Sequence, residues 1–335
     1  MSHGLAIFVA TALVACNGEG ATETADVNLL ETAQTRAVSI DDPIEPIPLR
    51  VEVDARKRAL GERLFRDPIL SPDGAVACTT CHDLANGGDD GRTKSDIVGR
   101  TPALVNTPSI FNAAFNFRLH WGGGYDELAA QLKVPIESPR VMATSFDEVL
   151  SRLRTRPDYR DAFAGIYPEG ITQRSFTDAI VEFERSLVTP NAAFDRWLRG
   201  EADALTEREK EGYSIFKSHG CISCHQGVNV GGNMFQKLGV MREFFEERGT
   251  VTEADLGRYN VTKRDEDRHV FRVPSLRNVA VTGPYFHDGS AETLEEAVQI
   301  MSVYQLGRPL DDDQVDAIVA FLRTLTGRYE GGTRP

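Results

Sequence analysis

The pattern C-x-x-C-H occurs twice in this chain, as Cys78-Thr79-Thr80-Cys81-His82 and as Cys221-Ile222-Ser223-Cys224-His225, about 140 residues apart. No other feature restricts the fold so tightly. Alone, C-x-x-C suits a redox disulfide or half a zinc site. A histidine directly after both pairs argues against either, because one zinc ion held by four thiolates would leave both rings unexplained. Covalent haem attachment uses every residue of the pattern. Two thiols on one helical turn reach two vinyl groups of one macrocycle, and the next side chain falls under the iron as axial ligand. The pattern therefore predicts two haem c groups, held by Cys78, Cys81 and His82 and by Cys221, Cys224 and His225. Those thiols are then lost to disulfides, and the haems act as covalent staples instead.

The text around both motifs is helical. Asp54–Phe65 places Leu60 and Leu64 on one face behind Asp54 as N-cap, with Gly61 weakening the pattern. Capping boxes open three further helices, at Thr206 and Glu209, at Ser145 and Glu148, and at Thr293 and Glu296. Thr177–Leu187 and Asp312–Leu325 carry apolar residues at helical spacing. Long alternating strand patterns are absent, and Gly-rich loops follow each haem motif. The expected fold is all-α: two cytochrome c-like haem domains with irregular loops, over residues 50–200 and 201–328, which suits a chain of 335 residues. The second unit has a candidate distal ligand in Met301, at the end of the helix from Thr293. Position alone leaves open whether that thioether binds iron or fills the core.

Residues 1–15 read as a lipoprotein-type signal peptide. Leu5–Val14 is apolar but too short to span a bilayer, and Cys16 follows the small-residue stretch Leu13-Val14-Ala15. Cys16 would carry the lipid; the other reading is an ordinary signal peptide with an incidental cysteine. The expected location is the periplasm, with a lipid anchor at Cys16 as the sole attachment to a membrane. Residues 16–49, rich in Thr, Ala, Glu and Pro, read as a flexible tether. The net charge of −13, without a Lys/Arg cluster, excludes nucleic acid as a partner. It fits a basic partner or simple solubility.

Two such motifs within the phrases "LGERLFRDPILS", "NTPSIFNAAFN", "HW", "PIESP", "CISCHQGVNVGGNMFQKLGV", "FRVPSLRNVAVTGPYFHDGS", "TLEEAVQIM" and "QLG" resemble the bacterial di-haem cytochrome c peroxidases and their MauG-type relatives, from about Leu60 to Gly327. The resemblance implies that the His82 haem meets peroxide and that the His225 haem, with Met301 opposite, accepts electrons. Met301 stands where the peroxidases have an axial Met and MauG a Tyr. Trp121 matches the Trp between the haems, an electron relay, though it is also an ordinary core residue. Asn106, Thr282 and Pro284 match an interhaem calcium site, through one side-chain oxygen and two backbone carbonyls. The implied partners are hydrogen peroxide and a small electron donor of cytochrome c or cupredoxin type. A homodimer, common among the relatives, stays open.

Two departures fall on the peroxide side. Val98 stands where the peroxidases carry a distal His, and no His lies between His82 and His120, which leaves the first iron five-coordinate or water-bound. Val141 stands where they carry a distal Glu, in the phrase Pro135 to Met142. Valine neither moves a proton nor stabilises a leaving hydroxide. Gln131, Glu137 and Arg140 are the nearby polar candidates, although the last two also suit solvent-facing loop charges. The leading reading is an enzyme, a cytochrome c peroxidase-type oxidoreductase. The alternatives are MauG-like oxidation of a partner protein, and a non-catalytic di-haem electron carrier or gas binder.

Overall fold

The computed structural model of the chain describes Met1, residues 42–97 and residues 99–329. The signal peptide, Cys16 and Val98 lie outside the described residues, as does the tether as far as residue 41. No helix among the described residues is long and apolar enough to cross a membrane.

The principal helices are α1 (Ala55–Arg66), α2 (Phe146–Thr155), α3 (Gln173–Arg185), α4 (Glu207–His219), α5 (Leu294–Ile300) and α6 (Asp312–Arg323). Their starts follow from local chemistry. Asp54 accepts the amides of Arg56 and Lys57, and Ser145 and Thr206 form full capping boxes with Glu148 and Glu209. Thr293 caps α5 through Glu296 N, but the Glu296 carboxylate turns to Glu292 N instead of closing the box. Helix α3 starts earlier than apolar spacing predicts, because Thr172 and Ser175 cap it.

The protein is mostly helical rather than wholly so. A two-stranded antiparallel ribbon, β1 (Phe235–Lys237) with β2 (Val270–Arg272), pairs Phe235 with Arg272 and Lys237 with Val270. Three residues per strand are too few for an alternating pattern to register in sequence.

Residues 42–329 belong to one compact unit that contains two apolar lobes. Each lobe is built on a crossed helix pair, α1 with α3 and α4 with α6. At the crossings stand Gly61 and Gly212, where a Cβ would overlap the carbonyl oxygens of Ala179 and Ala317. The glycine that weakens α1 as an isolated helix is what lets α3 approach. The lobes repeat in detail. "AIVEFERSL" of α3 answers "AIVAFLRTL" of α6. Phe65 lies 5.2 Å from Phe183 and 6.4 Å from His82, and Phe216 lies 5.2 Å from Phe321 and 6.3 Å from His225. Farther along, "PSIFNAAFNFRLHWGGGYDEL" from Pro108 aligns without a gap to "PSLRNVAVTGPYFHDGSAETL" from Pro274. Its backbone landmarks match. Asn112 and Asn278 are both left-handed, and the bridge Leu119–Tyr125 answers Tyr285–Ala291.

Residues 42–49 correct the tether reading over that stretch. Ile44 and Ile47 are fully buried, and Asp42 accepts the Tyr213 hydroxyl at 2.6 Å. Two β-branched side chains spaced for insertion dock a strap that Pro43, Pro46 and Pro48 hold extended.

Candidate functional site: two haem cradles and the ground between them

Each C-x-x-C-H runs through a short 3₁₀ turn, Cys78–Thr80 and Cys221–Ser223, closed by the histidine amide on the first cysteine carbonyl at 3.0 Å. In the second motif both thiols and the ring face one cavity. His82 Nδ1 donates to Gly88 O at 3.0 Å and His225 Nδ1 to Val230 O at 3.2 Å. A carbonyl only accepts, so Nδ1 carries the proton in both rings and Nε2 keeps its lone pair. Burial holds both rings neutral, with His225 pushed down to about 4. All four cysteines are free, and burial raises every thiol, Cys221 to about 11. Neutral thiols beside a neutral imidazole aimed by a backbone carbonyl are the donor set that haem c requires.

In the second lobe, Cys221, Cys224, His225 and Met301 line one cavity. Met301 opens a π-helical stretch, Met301–Gln305, directly after α5. The same cavity reaches Trp121, Asn106, Thr282 and Pro284, so the structure gathers these sequence-predicted residues around one space. Arg272 also lines it. Its guanidinium is buried, which lowers its pKa to about 10, and it pairs with no carboxylate among the described residues. It donates to His120 O at 3.3 Å and Asn116 Oδ1 at 3.4 Å. A buried cation without an anion suits the carboxylate of a haem propionate.

Trp121 is fixed by its indole N–H, which donates to Asn106 O at 2.9 Å. Asn106 in turn donates its backbone N–H to His287 O and its side-chain amide to Arg92 O, both at 2.8 Å, which leaves Oδ1 as its free donor oxygen. Among the described residues no amide takes the carbonyls of Thr282 or Pro284. Three unclaimed hard oxygens are a set a calcium ion could use.

The peroxide-side candidates separate. Glu137 is exposed and pairs with Lys133 at 3.6 Å. Arg140 reaches Pro102 O at 2.5 Å. Val141 packs against the apolar cluster that also takes Cys78 and Cys81. Gln131 meets the ring of His120, at 3.1 Å between Nε2 atoms. His120 went unmarked in the sequence reading, where it served only as the next histidine after His82. The internal repeat is the signal that exposes it, because it aligns with Phe286, which lines the second haem cavity.

Residues 55–203 match the family described as di-haem cytochrome c peroxidase, and residues 209–326 match cytochrome c. The chain is 44% identical to cytochrome c peroxidase Ccp of Escherichia coli over 86% of its own length, and spans 62% of that longer protein. It is 40% identical to cytochrome c551 peroxidase of Nitrosomonas europaea over 88% of this chain and 87% of that one. Among solved structures, a MauG-like protein associated with microbial copper homeostasis matches with a TM-score of 0.73 at 28% identity, over 85% of this chain and 93% of that one.

Proposed function

Because the chain belongs to the di-haem cytochrome c peroxidase family, a family of oxidoreductases built on two haem c groups, we propose that it takes electrons from a small redox protein at the His225 lobe and passes them to hydrogen peroxide at the His82 lobe. One observation carries this division of labour. Carried seven residues further without a gap, the repeat that runs to Leu128 and Leu294 sets Pro135 of the first lobe against Met301 of the second, and a proline side chain has no atom that binds iron. Bound haem supplies one-electron chemistry where both axial positions are filled and a peroxide site where one is free. His82 and His225 orient their rings through backbone carbonyls. Met301 closes one lobe. Trp121, held on Asn106 O beside the second cavity, offers an aromatic step between lobes. Calcium at Asn106, Thr282 and Pro284 belongs to this reading, as do export and a lipid at Cys16, which rest on sequence alone. Met301, in place of the Tyr of MauG, favours peroxide reduction over oxidation of a partner protein.

The test is steady-state peroxide reduction with a reduced small cytochrome c, with and without calcium, alongside Met301→Ala. Turnover above background is expected, and the variant should lose both the near-red sulfur-to-iron band and donor-driven turnover. A chain holding both haems that reduces no peroxide with any such donor is a carrier, not a peroxidase.

A further inference from the structure

We propose that His120 is the acid–base group on the open face of the His82 haem, doing there what Val141 cannot. Three observations converge on it. First, the repeat aligns His120 with Phe286, and Phe286 lines the cavity that holds His225 and Met301. Both residues sit in the left-handed region, at φ 67° and φ 70°, one residue into matching bridges. A conformation that side chains seldom adopt thus places a ring in both lobes, and in the second lobe that ring lines the haem cavity. Second, His120 is pinned. Its carbonyl accepts from Gly123 N at 3.2 Å and Arg272 Nε at 3.3 Å, and Tyr125 flanks the ring at 5.4 Å. Third, its ring nitrogen meets the amide of Gln131, while the other two polar peroxide-side candidates turn to Lys133 and to Pro102 O. Burial, with a smaller contribution from the charge of Arg272, pushes the ring down to about 4, so it stands neutral with a lone pair to offer.

The role rests on the peroxide reading and completes it. Heterolysis of H–O–O–H needs one proton moved across the molecule. The proton of the oxygen nearer the iron passes to His120. It is returned to the far oxygen as the O–O bond breaks, and that oxygen leaves as water. Two electrons from the donor and two protons from solvent turn the remaining oxygen into a second water. Gln131 keeps the ring aimed and its basic nitrogen unprotonated until peroxide takes over that contact.

The experiment follows cyanide binding to the all-ferric, doubly haem-loaded protein by stopped flow at the Soret band. HCN must give up its proton to bind as cyanide, so the association rate reads the distal base without any turnover. His120→Phe should slow association at least tenfold, given that a positioned acid–base group is worth roughly 10²–10⁴. Phenylalanine already occupies the aligned position 286 at the same φ, and an unchanged Met301 band certifies the fold. Val141→Glu added to His120→Phe should recover part of the rate. An unchanged rate in His120→Phe overturns the proposal. So does a wild-type protein that is wholly low-spin and binds cyanide faster once His120 is removed, because His120 would then be a ligand. Slowed cyanide binding in His120→Phe, alongside a wild type that turns over no peroxide, would keep His120 as the base and sink only the peroxidase reading.

Discussion

The first lobe and the second share a helix crossing, a phenylalanine pair, a carbonyl-held histidine and a left-handed ring, yet they differ at a handful of aligned positions. His120, Gln131 and Pro135 of the first answer Phe286, Ala297 and Met301 of the second. The scaffold is common property, because every cytochrome c-like lobe must seat one macrocycle between a C-x-x-C-H turn and a crossed helix pair. The division of labour sits in the exchanged side chains. On the function proposed above, one set would close an axial face with the thioether and apolar ring that line the second cavity. On the same reading the other leaves that face free, beside the imidazole and amide that pair at His120 and Gln131. Duplicated architecture thus separates what holds haem from what uses it, and swapping residues between aligned positions tests each side.

The largest effect is expected where the lobes solve one packing problem by different means. Position 111 of the first lobe is Phe, packed on Tyr329 at 5.5 Å, and the aligned position 277 is Arg. Arg277 and Asp195 form a fully buried ion pair at 2.7 Å, and Arg277 also holds Val228 O and Glu45 O, both at 2.8 Å. The strap at residues 42–49 therefore hangs on the second lobe's charge. Arg277→Phe would install the first lobe's solution and leave Asp195 buried without its cation, at a cost of about 3–5 kcal/mol. Asp195→Leu combined with Arg277→Phe should recover most of that loss. Guanidinium unfolding measures both. A single variant costing under ~1 kcal/mol would show that the lobes are interchangeable at this position.

A smaller and symmetric effect is expected at the crossings. Gly61→Ala and Gly212→Ala each drive a methyl into a helix carbonyl, and overpacking of this kind costs about 1–3 kcal/mol. Because Gly61 meets Ala179 and Phe183 as Gly212 meets Ala317 and Phe321, the two penalties should agree within ~0.5 kcal/mol. A difference well above that would break the equivalence of the lobes at its structural root.

Much of this was legible before the structure. The C-x-x-C-H turns, most caps and the convergence of Met301, Trp121 and Asn106 follow from residue types and spacing, or from resemblance over long phrases. What stayed hidden has physical reasons. Gly61 reads as a weak point in a helix because its use appears only when α3 lies against it. Ile44 and Ile47 read as part of a tether because two apolar residues in a Pro- and acid-rich stretch carry no periodicity. Glu137 and Arg140 stand beside Val141 in sequence, yet the turn after Glu137 sends their charges to Lys133 and Pro102 O. His120 carries no motif of its own. It becomes visible only when one half of the chain is laid on the other.

The smallest effect is a slope with pH, and it too belongs to one lobe alone. Glu184 of α3 aligns with Leu322 of α6. Its side chain is 6% exposed, one of its oxygens has no partner among the described residues, and burial raises its carboxyl to about 8. A folded-state pKa raised above the unfolded value near 4.3 favours the folded protein fully only below that value. As pH climbs, the unfolded chain ionises first, and the contribution drains away until the folded carboxyl ionises as well. Stability should therefore decline with pH between roughly pH 4.5 and 8 on account of this group, and level off above. Glu184→Leu gives the first lobe the second lobe's residue. It should flatten that stretch of the stability–pH curve and raise stability most at pH 8 and above, as measured by denaturant unfolding at fixed ionic strength. If the variant keeps the wild-type slope, Glu184 is ionised and satisfied in the folded protein, and a cation from the haem-side environment must be found for it.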